Sequence, residues 1–180
     1  MEINPFIHQM VLRNSFNAAT QRGTSVYAVA VDDPRRGEFR NWTKEWLTAL
    51  GLRYIAWEYT PVTFCQEIED LKREANKHHK AVLAPGMITL GISQKLIALY
   101  LKYLWLLGNP EKMPLLPPLD NRVFAAVGLR LGGFKGIDDM QVLKDAWAKV
   151  DAHAAQQGMR SGTIWESRWW TDGDDESAAD

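Results

Sequence analysis

The chain has 180 residues, 46% apolar side chains and a net charge of −1, which suits one domain with a packed core. It contains no run of about 18 apolar residues, so we expect no membrane span. Met1–Pro5 lacks the pattern of a signal peptide. The single cysteine, Cys65, excludes an internal disulfide and a four-cysteine iron–sulfur cluster. These features predict a cytoplasmic monomer.

The charge is unevenly distributed along the chain. Residues 172–180 carry five acidic side chains, and leaving these out changes the net charge from −1 to +4 for residues 1–171. We therefore expect one domain over 1–171 and an acidic, disordered tail over 172–180. Basic side chains form two runs, Arg35, Arg36 and Arg40, then Lys72, Arg73, Lys77, His78, His79 and Lys80. Such cations either solvate a surface or contact phosphate groups.

The first half of the chain shows mainly the apolar spacing of helices. Helices are predicted over three segments, residues 6–20, 38–50 and 61–79. Thr60 is the expected N-cap of the third helix, with Pro61 at its first position. The segment 26–31 fits either a short strand or a buried helix, because its periodicity does not decide between them. A loop is expected over 83–89, around a Pro-Gly pair.

The second half contains a long apolar helix, predicted over 96–107, in which Lys102 is the only polar side chain. A helix that is apolar on every face is surrounded by other elements, so we expect this one at the centre. Gly108 and Pro110 end it. Three more helices are predicted, directly after Asp120, over 138–157 and over 161–170. The predicted fold class is therefore all-α.

Lys95 and Asp120 are placed so that they can meet. Lys95 precedes the long apolar helix, and Asp120 is the expected N-cap of the next one. The helix is about 18 Å long, whereas the proline-rich connection 109–119 reaches up to roughly 36 Å when extended. The chain can therefore return to the end from which the helix started. The alternative is that Asp120 serves only as a structural N-cap.

The two motifs around these residues resemble the catalytic core of the helix-hairpin-helix DNA glycosylases, especially the archaeal branch of the 8-oxoguanine glycosylases. That family has a lysine in a Gly-apolar-Gly-x-Lys hairpin and an aspartate in a later Pro-apolar-Asp-x-(Arg/His)-apolar run. Gly91–Lys95 matches the first motif with Ser93 in place of the second glycine, and Pro118–Val123 matches the second. The resemblance covers residues 91–124. It implies a glycosylase-like helical domain, with hairpin and catalytic core in 83–130 and a cleft between two lobes.

The resemblance also implies a mechanism. Lys95 would attack C1′ of a nucleotide flipped out of DNA, and Asp120 would stabilise the positive charge on the sugar or assist the lysine. Burial among apolar side chains favours the neutral amine that such an attack requires. The protein would be a DNA glycosylase with a further lyase activity at the abasic site. Its substrate would be an oxidised purine in DNA repair, or a hypermodified base in defence against phage DNA.

The remaining site residues are predicted from residue type and position. DNA contacts are expected from side chains near the two motifs, Lys77, Lys80, Gly91, Ser93, Gln94 and Arg122. Flipped bases commonly stack on aromatic side chains. The resembled family takes its pocket aromatic from the last helices, which favours Trp165 and Trp169 here, with Trp57 as a third candidate. Tryptophans are more often core residues, which is the alternative for each.

Other kinds of site lack their motifs. His78 and His79 cannot face one metal ion from a helix, because adjacent helical residues point about 100° apart. The sequence contains no Gly-Lys-Ser/Thr phosphate loop and no Gly-x-Ser-x-Gly elbow. We therefore expect no metal and no cofactor. Two functions of other classes remain open: a catalytically inactive helix-hairpin-helix module that binds DNA, and a helical domain that binds proteins through its tryptophans.

Overall fold

The computed structural model describes residues 4–21, 25–56, 59–108 and 112–172. These residues form seven α-helices and one 3₁₀ turn, Phe134–Gly136. The helices are α1 Pro5–Thr20, α2 Arg35–Ala56, α3 Pro61–His78, α4 Leu90–Leu106, α5 Asn121–Ala126, α6 Met140–Gln156 and α7 Gly162–Asp172. The only β geometry in these ranges is an isolated antiparallel bridge between Tyr27 and Leu83. The prediction of an all-α fold is confirmed.

Helix α4 is the central element, as its apolar sequence predicted. It packs against α1, α2, α3 and the 3₁₀ turn, and most of its side chains are buried. None of the described helices combines the length and hydropathy that crossing a bilayer requires. The burial of α4 therefore comes from the helices around it, which fix the direction of every side chain that α4 carries.

The predicted position of the hairpin is wrong. Helix α4 begins at Leu90, and Thr89 is its N-cap, with a hydroxyl that accepts a backbone N–H of the first turn. Residues 91–95 therefore form the first turns of α4 rather than a loop before it. The connection between α3 and α4 is the segment 79–89, where Gly86 is exposed and has a φ of 69°. Lys95 consequently lies one turn inside the helix, not at its first residue.

The other helices follow their predicted positions with different ends. Thr60 caps α3 in a capping box with Thr63, as its sequence indicated. Helix α2 is longer than predicted, because it starts directly after Pro34 and continues to Ala56. The ambiguous segment 26–31 is neither helix nor strand. The predicted disorder of the acidic tail concerns residues that, from Gly173 on, lie outside the described ones.

The proline-rich connection between α4 and α5 is fixed by side chains from three helices. Tyr54 donates a hydrogen bond to the carbonyl of Met113, and Trp147 donates one to the carbonyl of Pro117. The hydroxyl of Thr163 donates to the carbonyl of Pro114. These contacts direct the described part of the connection back along α4, and α5 begins beside the first turns of that helix.

Candidate active site

Lys95 and Asp120 meet, as their positions in the sequence predicted. The amine nitrogen Nζ of Lys95 lies 2.9 Å from Oδ2 of Asp120. The two side chains are only 6% and 13% exposed. Lys95 projects from the second turn of α4 and Asp120 from the N-terminus of α5. Folding therefore brings the two motifs together as an ion pair that is largely shielded from water.

The two carboxylate oxygens of Asp120 have different partners. Oδ2 accepts from Lys95, while Oδ1 accepts the backbone N–H groups of Arg122 and Val123, each at 3.0 Å. Asp120 is thus the N-cap of α5, as predicted, and a partner of the amine at once. One side chain therefore links the amine of Lys95 on α4 to the first turn of α5.

Gln94 joins α4 to the segment that carries Asp120. Its amide nitrogen donates to the carbonyls of Leu119 at 2.6 Å and Gly91 at 3.0 Å, and its amide oxygen accepts the N–H of Leu119. Gly91 is packed so closely against the carbonyl of Phe134 that a Cβ would collide with it. Ser93 and Gln94 are fully buried, and Gly91 is buried too. None of the three is accessible from outside in this structure, so their DNA contacts stay predictions, and the contacts of Gln94 hold α4 against the segment that carries Asp120.

The ion pair opens onto a cavity of about 330 Å³ between α4 and α7. The end of α1 and the segment before α5 complete its wall. Its volume falls at the lower end of the roughly 300–1,000 Å³ typical of small-molecule pockets. Besides Lys95 and Asp120, it is lined by both apolar and polar side chains, among them Leu99, Tyr103, Pro118, Ser167 and Trp170. The site can therefore hold a small, partly polar group beside the amine.

A second lysine–carboxylate pair lies in the same cavity. Nζ of Lys102 is 2.9 Å from Oε1 and 2.7 Å from Oε2 of Glu166, and the two side chains are 9% and 1% exposed. Burial raises the pKa of Glu166, against the opposing effect of Lys102. The sequence showed Lys102 as the one polar residue of its helix. Its seven-residue spacing from Lys95, which places both on one helix face, could have indicated a shared site.

The predicted pocket tryptophans are not the ones that line the cavity. Trp165 is 2% exposed and packs between Trp169 and His153. Its ring centroid lies 5.7 Å from that of Trp169, with 15° between the ring planes, and 4.9 Å from that of His153. Neither Trp165 nor Trp169 lines the cavity, whereas Trp170 does. The cavity beside Lys95 and Asp120 is therefore lined by Trp170 in place of the two tryptophans that the sequence favoured, whose role in a base pocket stays a prediction. The third candidate, Trp57, lies outside the described residues.

Arg122 connects the rim of the cavity to α7. Its guanidinium carbon lies 4.1 Å from the ring centroid of Trp170 and 5.6 Å from that of Trp169. Lys77 and Lys80, at the end of α3 and just after it, are exposed. Of the six residues predicted to contact DNA, these three are the ones whose positions leave them accessible from outside.

Positive charge is concentrated next to Lys95. The amine of Lys95 lies 4.4 Å from the ring centroid of Phe134. Lys135, which follows Phe134 in the chain, donates a hydrogen bond to the carbonyl of Thr20. Burial lowers the pKa of Lys135, and the charge of Lys95 lowers it further. With Lys102, three lysines thus lie in or beside the cavity against two carboxylates. Such an excess attracts anionic groups, phosphates included.

The chain matches no protein-family model, and neither curated proteins nor solved structures give a significant match. The description of the site therefore rests on the geometry of its own residues. Within the ranges that the structure covers, no three His, Cys, Asp or Glu side chains are grouped so that they could hold a metal ion.

Proposed function

We propose that this protein is a DNA N-glycosylase that excises a modified base through Lys95 and leaves an abasic site. One observation carries the proposal: an amine and a carboxylate from two separate motifs pair at 2.9 Å on the wall of a cavity large enough for a small flat ligand. A nucleophile beside a carboxylate and an enclosed pocket are the parts that base excision needs.

The proposed chemistry uses both members of the pair. Asp120 accepts a proton from the ammonium of Lys95, and the neutral amine attacks C1′ of the flipped nucleotide. The bond between C1′ and the base nitrogen breaks, and the base leaves with its electron pair and takes up a proton from Asp120. The carboxylate, an anion again, lies beside the positive charge that develops on the sugar. The nitrogen bonded to C1′ then gives one proton to O4′ while the C1′–O4′ bond breaks, which opens the sugar ring and leaves a protonated Schiff base between Lys95 and C1′. Water hydrolyses this Schiff base and frees the amine, or C2′ loses a proton and the 3′ phosphate leaves, which cleaves the strand.

The second pair gives the pocket a polar surface for the base. Lys102 can donate and Glu166 can accept hydrogen bonds at the edge of a bound ring, while the indole of Trp170 offers an aromatic face. A pocket built to hydrogen-bond its ligand discriminates against bases that leave these groups unpaired. The oxidised purine expected from the family resemblance offers both donors and acceptors to such a pair.

The experiment is covalent trapping with sodium borohydride. The protein is incubated with duplexes that carry 8-oxoguanine, a glucosylated hydroxymethyl base or no modification, and the released base is measured by mass spectrometry. We expect one adduct between protein and modified DNA that is lost in Lys95→Ala. Asp120→Asn should slow its formation by about 10²- to 10³-fold. The exposed Lys149→Ala is the matched control and should trap like the wild type.

Other outcomes point to the other functions. Base release without an adduct would assign a monofunctional mechanism, in which Lys95 is not the covalent nucleophile. Duplex binding without release of any base in the panel would favour an inactive DNA-binding module. Failure to bind single- or double-stranded DNA at low salt would contradict the proposal and favour a helical protein-interaction domain.

A further inference from the structure

Three polar groups near the start of α2 are buried without a partner. The hydroxyl of Tyr27 and the Nε atoms of Arg36 and Arg40 are almost inaccessible to water, and none has a partner of hydrogen-bond geometry among the described residues. Buried donors without partners are rare in folded proteins, because each costs the free energy of its lost hydration. Arg36 and Arg40 as whole residues are only partly buried, so a ligand that accepts hydrogen bonds can approach their guanidinium groups from outside while the Nε atoms stay fixed within the protein.

The three groups belong to one packed cluster. The guanidinium carbon of Arg36 lies 4.3 Å from the ring centroid of Tyr27. That ring meets the edge of Phe39 at 6.0 Å. Phe39 also packs on Phe16, the ring that lies 6.0 Å from the guanidinium carbon of Arg40. Arg36 and Arg40 are one helical turn apart on α2, so both guanidinium groups lie along one side of that helix. The aromatic rings hold them in place.

The acidic side chains near this cluster have other partners or lie away from it. Asp33 pairs with Arg35 at 2.6 Å. Glu38 is exposed, and its charge favours a higher pKa of Arg35 and of His79. Among the described residues, no carboxylate forms a salt bridge with Arg36 or Arg40. Burial raises the pKa of Tyr27 despite both arginines, so its hydroxyl remains a donor at neutral pH. Nη2 of Arg36 donates a hydrogen bond to the carbonyl of Val29, which does not neutralise its charge. The cluster therefore offers two cations and a neutral hydroxyl.

We propose that Tyr27, Arg36 and Arg40 form a binding site for one phosphate group of a DNA backbone. Guanidinium groups match phosphate oxygens with paired N–H donors, which a lone surface lysine cannot do. The DNA source rests on the proposed function, whereas the phosphate chemistry rests on the cluster alone.

The position of the cluster favours a strand that passes the connection between α3 and α4. Tyr27 is bridged to Leu83 within that connection. Arg35, next to Arg36, reaches the carbonyl of Ala81. The same connection leads into α4, which carries Lys95, and the exposed Lys80 lies at its beginning. A phosphate at the cluster would hold the backbone to one side of the nucleotide that enters the cavity.

The test measures binding of an unmodified duplex from about 50 to 200 mM salt, a range over which phosphate contacts lose much of their strength. Arg36→Gln/Arg40→Gln should bind on the order of tenfold more weakly. Its dependence of log K on log salt should be shallower by about 0.9, the loss of one phosphate contact. Arg13→Gln/Arg160→Gln removes the same charge from exposed positions and should leave the slope unchanged. Equal slopes in the two double variants would refute the site.

A second measurement leaves the protein unchanged. Single phosphates of the duplex are replaced by neutral methylphosphonates, one position at a time. We expect one position at which the replacement weakens DNA binding by the wild-type protein but not by Tyr27→Phe/Arg36→Lys/Arg40→Lys. This variant keeps both positive charges and similar side-chain volumes, so the fold should be preserved. A uniform response at every position would contradict the proposal. The NMR chemical shifts of the arginine Nε–H groups provide a further readout. If inorganic phosphate alone shifts them to a plateau and duplex causes no change, the site binds free phosphate and the DNA source is refuted.

The two proposals fail separately. If Lys95 is trapped but the two double arginine variants have equal salt slopes, the glycosylase proposal stands and the phosphate site is refuted. A slope change in Arg36→Gln/Arg40→Gln without any trapped adduct would retain the phosphate site and remove the glycosylase. A wild-type protein that does not bind duplex DNA at 50 mM salt would remove the DNA phosphate site as well.

Discussion

The cavity contains two lysine–carboxylate pairs that differ in what else holds the carboxylate. Asp120 accepts two backbone N–H groups besides the amine of Lys95, whereas both oxygens of Glu166 accept from Lys102. Loss of the charge on Lys95 leaves Asp120 with favourable partners. Loss of the charge on Lys102 leaves a buried carboxylate without its cation. Under the proposed function, the first pair would therefore carry the reaction, and the second would contribute to base binding and stability.

The largest expected difference concerns the covalent adduct. DNA with a preformed abasic site needs a nucleophile but no base recognition, so borohydride should trap wild-type protein and Lys102→Met/Glu166→Leu alike. Lys95→Met should give no adduct, because the attacking amine is gone. Gel electrophoresis of the protein–DNA adduct measures this. Trapping that persists in Lys95→Met and disappears in the double variant would reverse the roles of the two lysines.

The two pairs should also differ in stability. Lys102→Met leaves the buried carboxylate of Glu166 without its cation and with a hydrogen bond to the side chain of Trp170, which costs about 3–5 kcal/mol of the free energy of unfolding. Lys95→Met should cost less, about 1–2 kcal/mol, since Asp120 keeps its two backbone partners. Urea unfolding followed by circular dichroism measures both. The double variant Lys102→Met/Glu166→Leu is the control and should regain most of the lost stability. Equal losses in the two single variants would contradict the distinction.

The close packing at Gly91 supports the position of the Lys95 amine. A methyl group there would collide with the carbonyl of Phe134, whose ring lies against the amine of Lys95. Gly91→Ala should therefore destabilise the protein by about 1–3 kcal/mol and slow trapping. Gly37→Ala, where a Cβ meets no atom within 4 Å, is the matched control and should stabilise by up to about 1 kcal/mol. Similar unfolding midpoints for the two variants would show that the contact has little effect.

The smallest expected effect is a pH dependence of the free energy of unfolding that Glu166 of the second pair produces. Burial raises the pKa of Glu166 above its ordinary value of 4.5, so the folded state keeps a proton to higher pH than the unfolded state. The stability of the wild type relative to Lys102→Met/Glu166→Leu should therefore fall as the pH rises above 4.5 through the folded pKa. Urea midpoints from pH 4 to 7 test this. A relative stability that rises over the same range would mean that the ion pair outweighs burial.

The pairing of Lys95 with Asp120 could be predicted from the sequence because both residues carry local signals. Asp120 follows prolines and precedes a helix, and Lys95 directly precedes the apolar run 96–107, although the helix itself starts one turn earlier. Glu166 carries no such signal, since its partner is fixed by how α7 packs on α4 and not by neighbouring residues. The same limit explains the tryptophans. One step along a helix turns a side chain by about 100°, and the sequence does not show which of Trp169 and Trp170 turns toward the cavity.

The helical fold could be predicted from apolar spacing and caps, which are local properties. The start of α4 could not, because Gly91 resembles a helix breaker. Its missing side chain instead admits the carbonyl of Phe134 from a distant part of the chain. Thr89, the cap that starts the helix, lies in a segment that the sequence presents as a loop.

The shared use of Asp120 makes the amine adjustable from outside the cavity. The carboxylate group that closes the first turn of α5 also touches the lysine, so a force that stretches or tightens that short helix is transmitted to Lys95 through a single side chain. A substitution on α5 that displaces Asp120 would therefore move the partner of the Lys95 amine without adding any atom to the cavity.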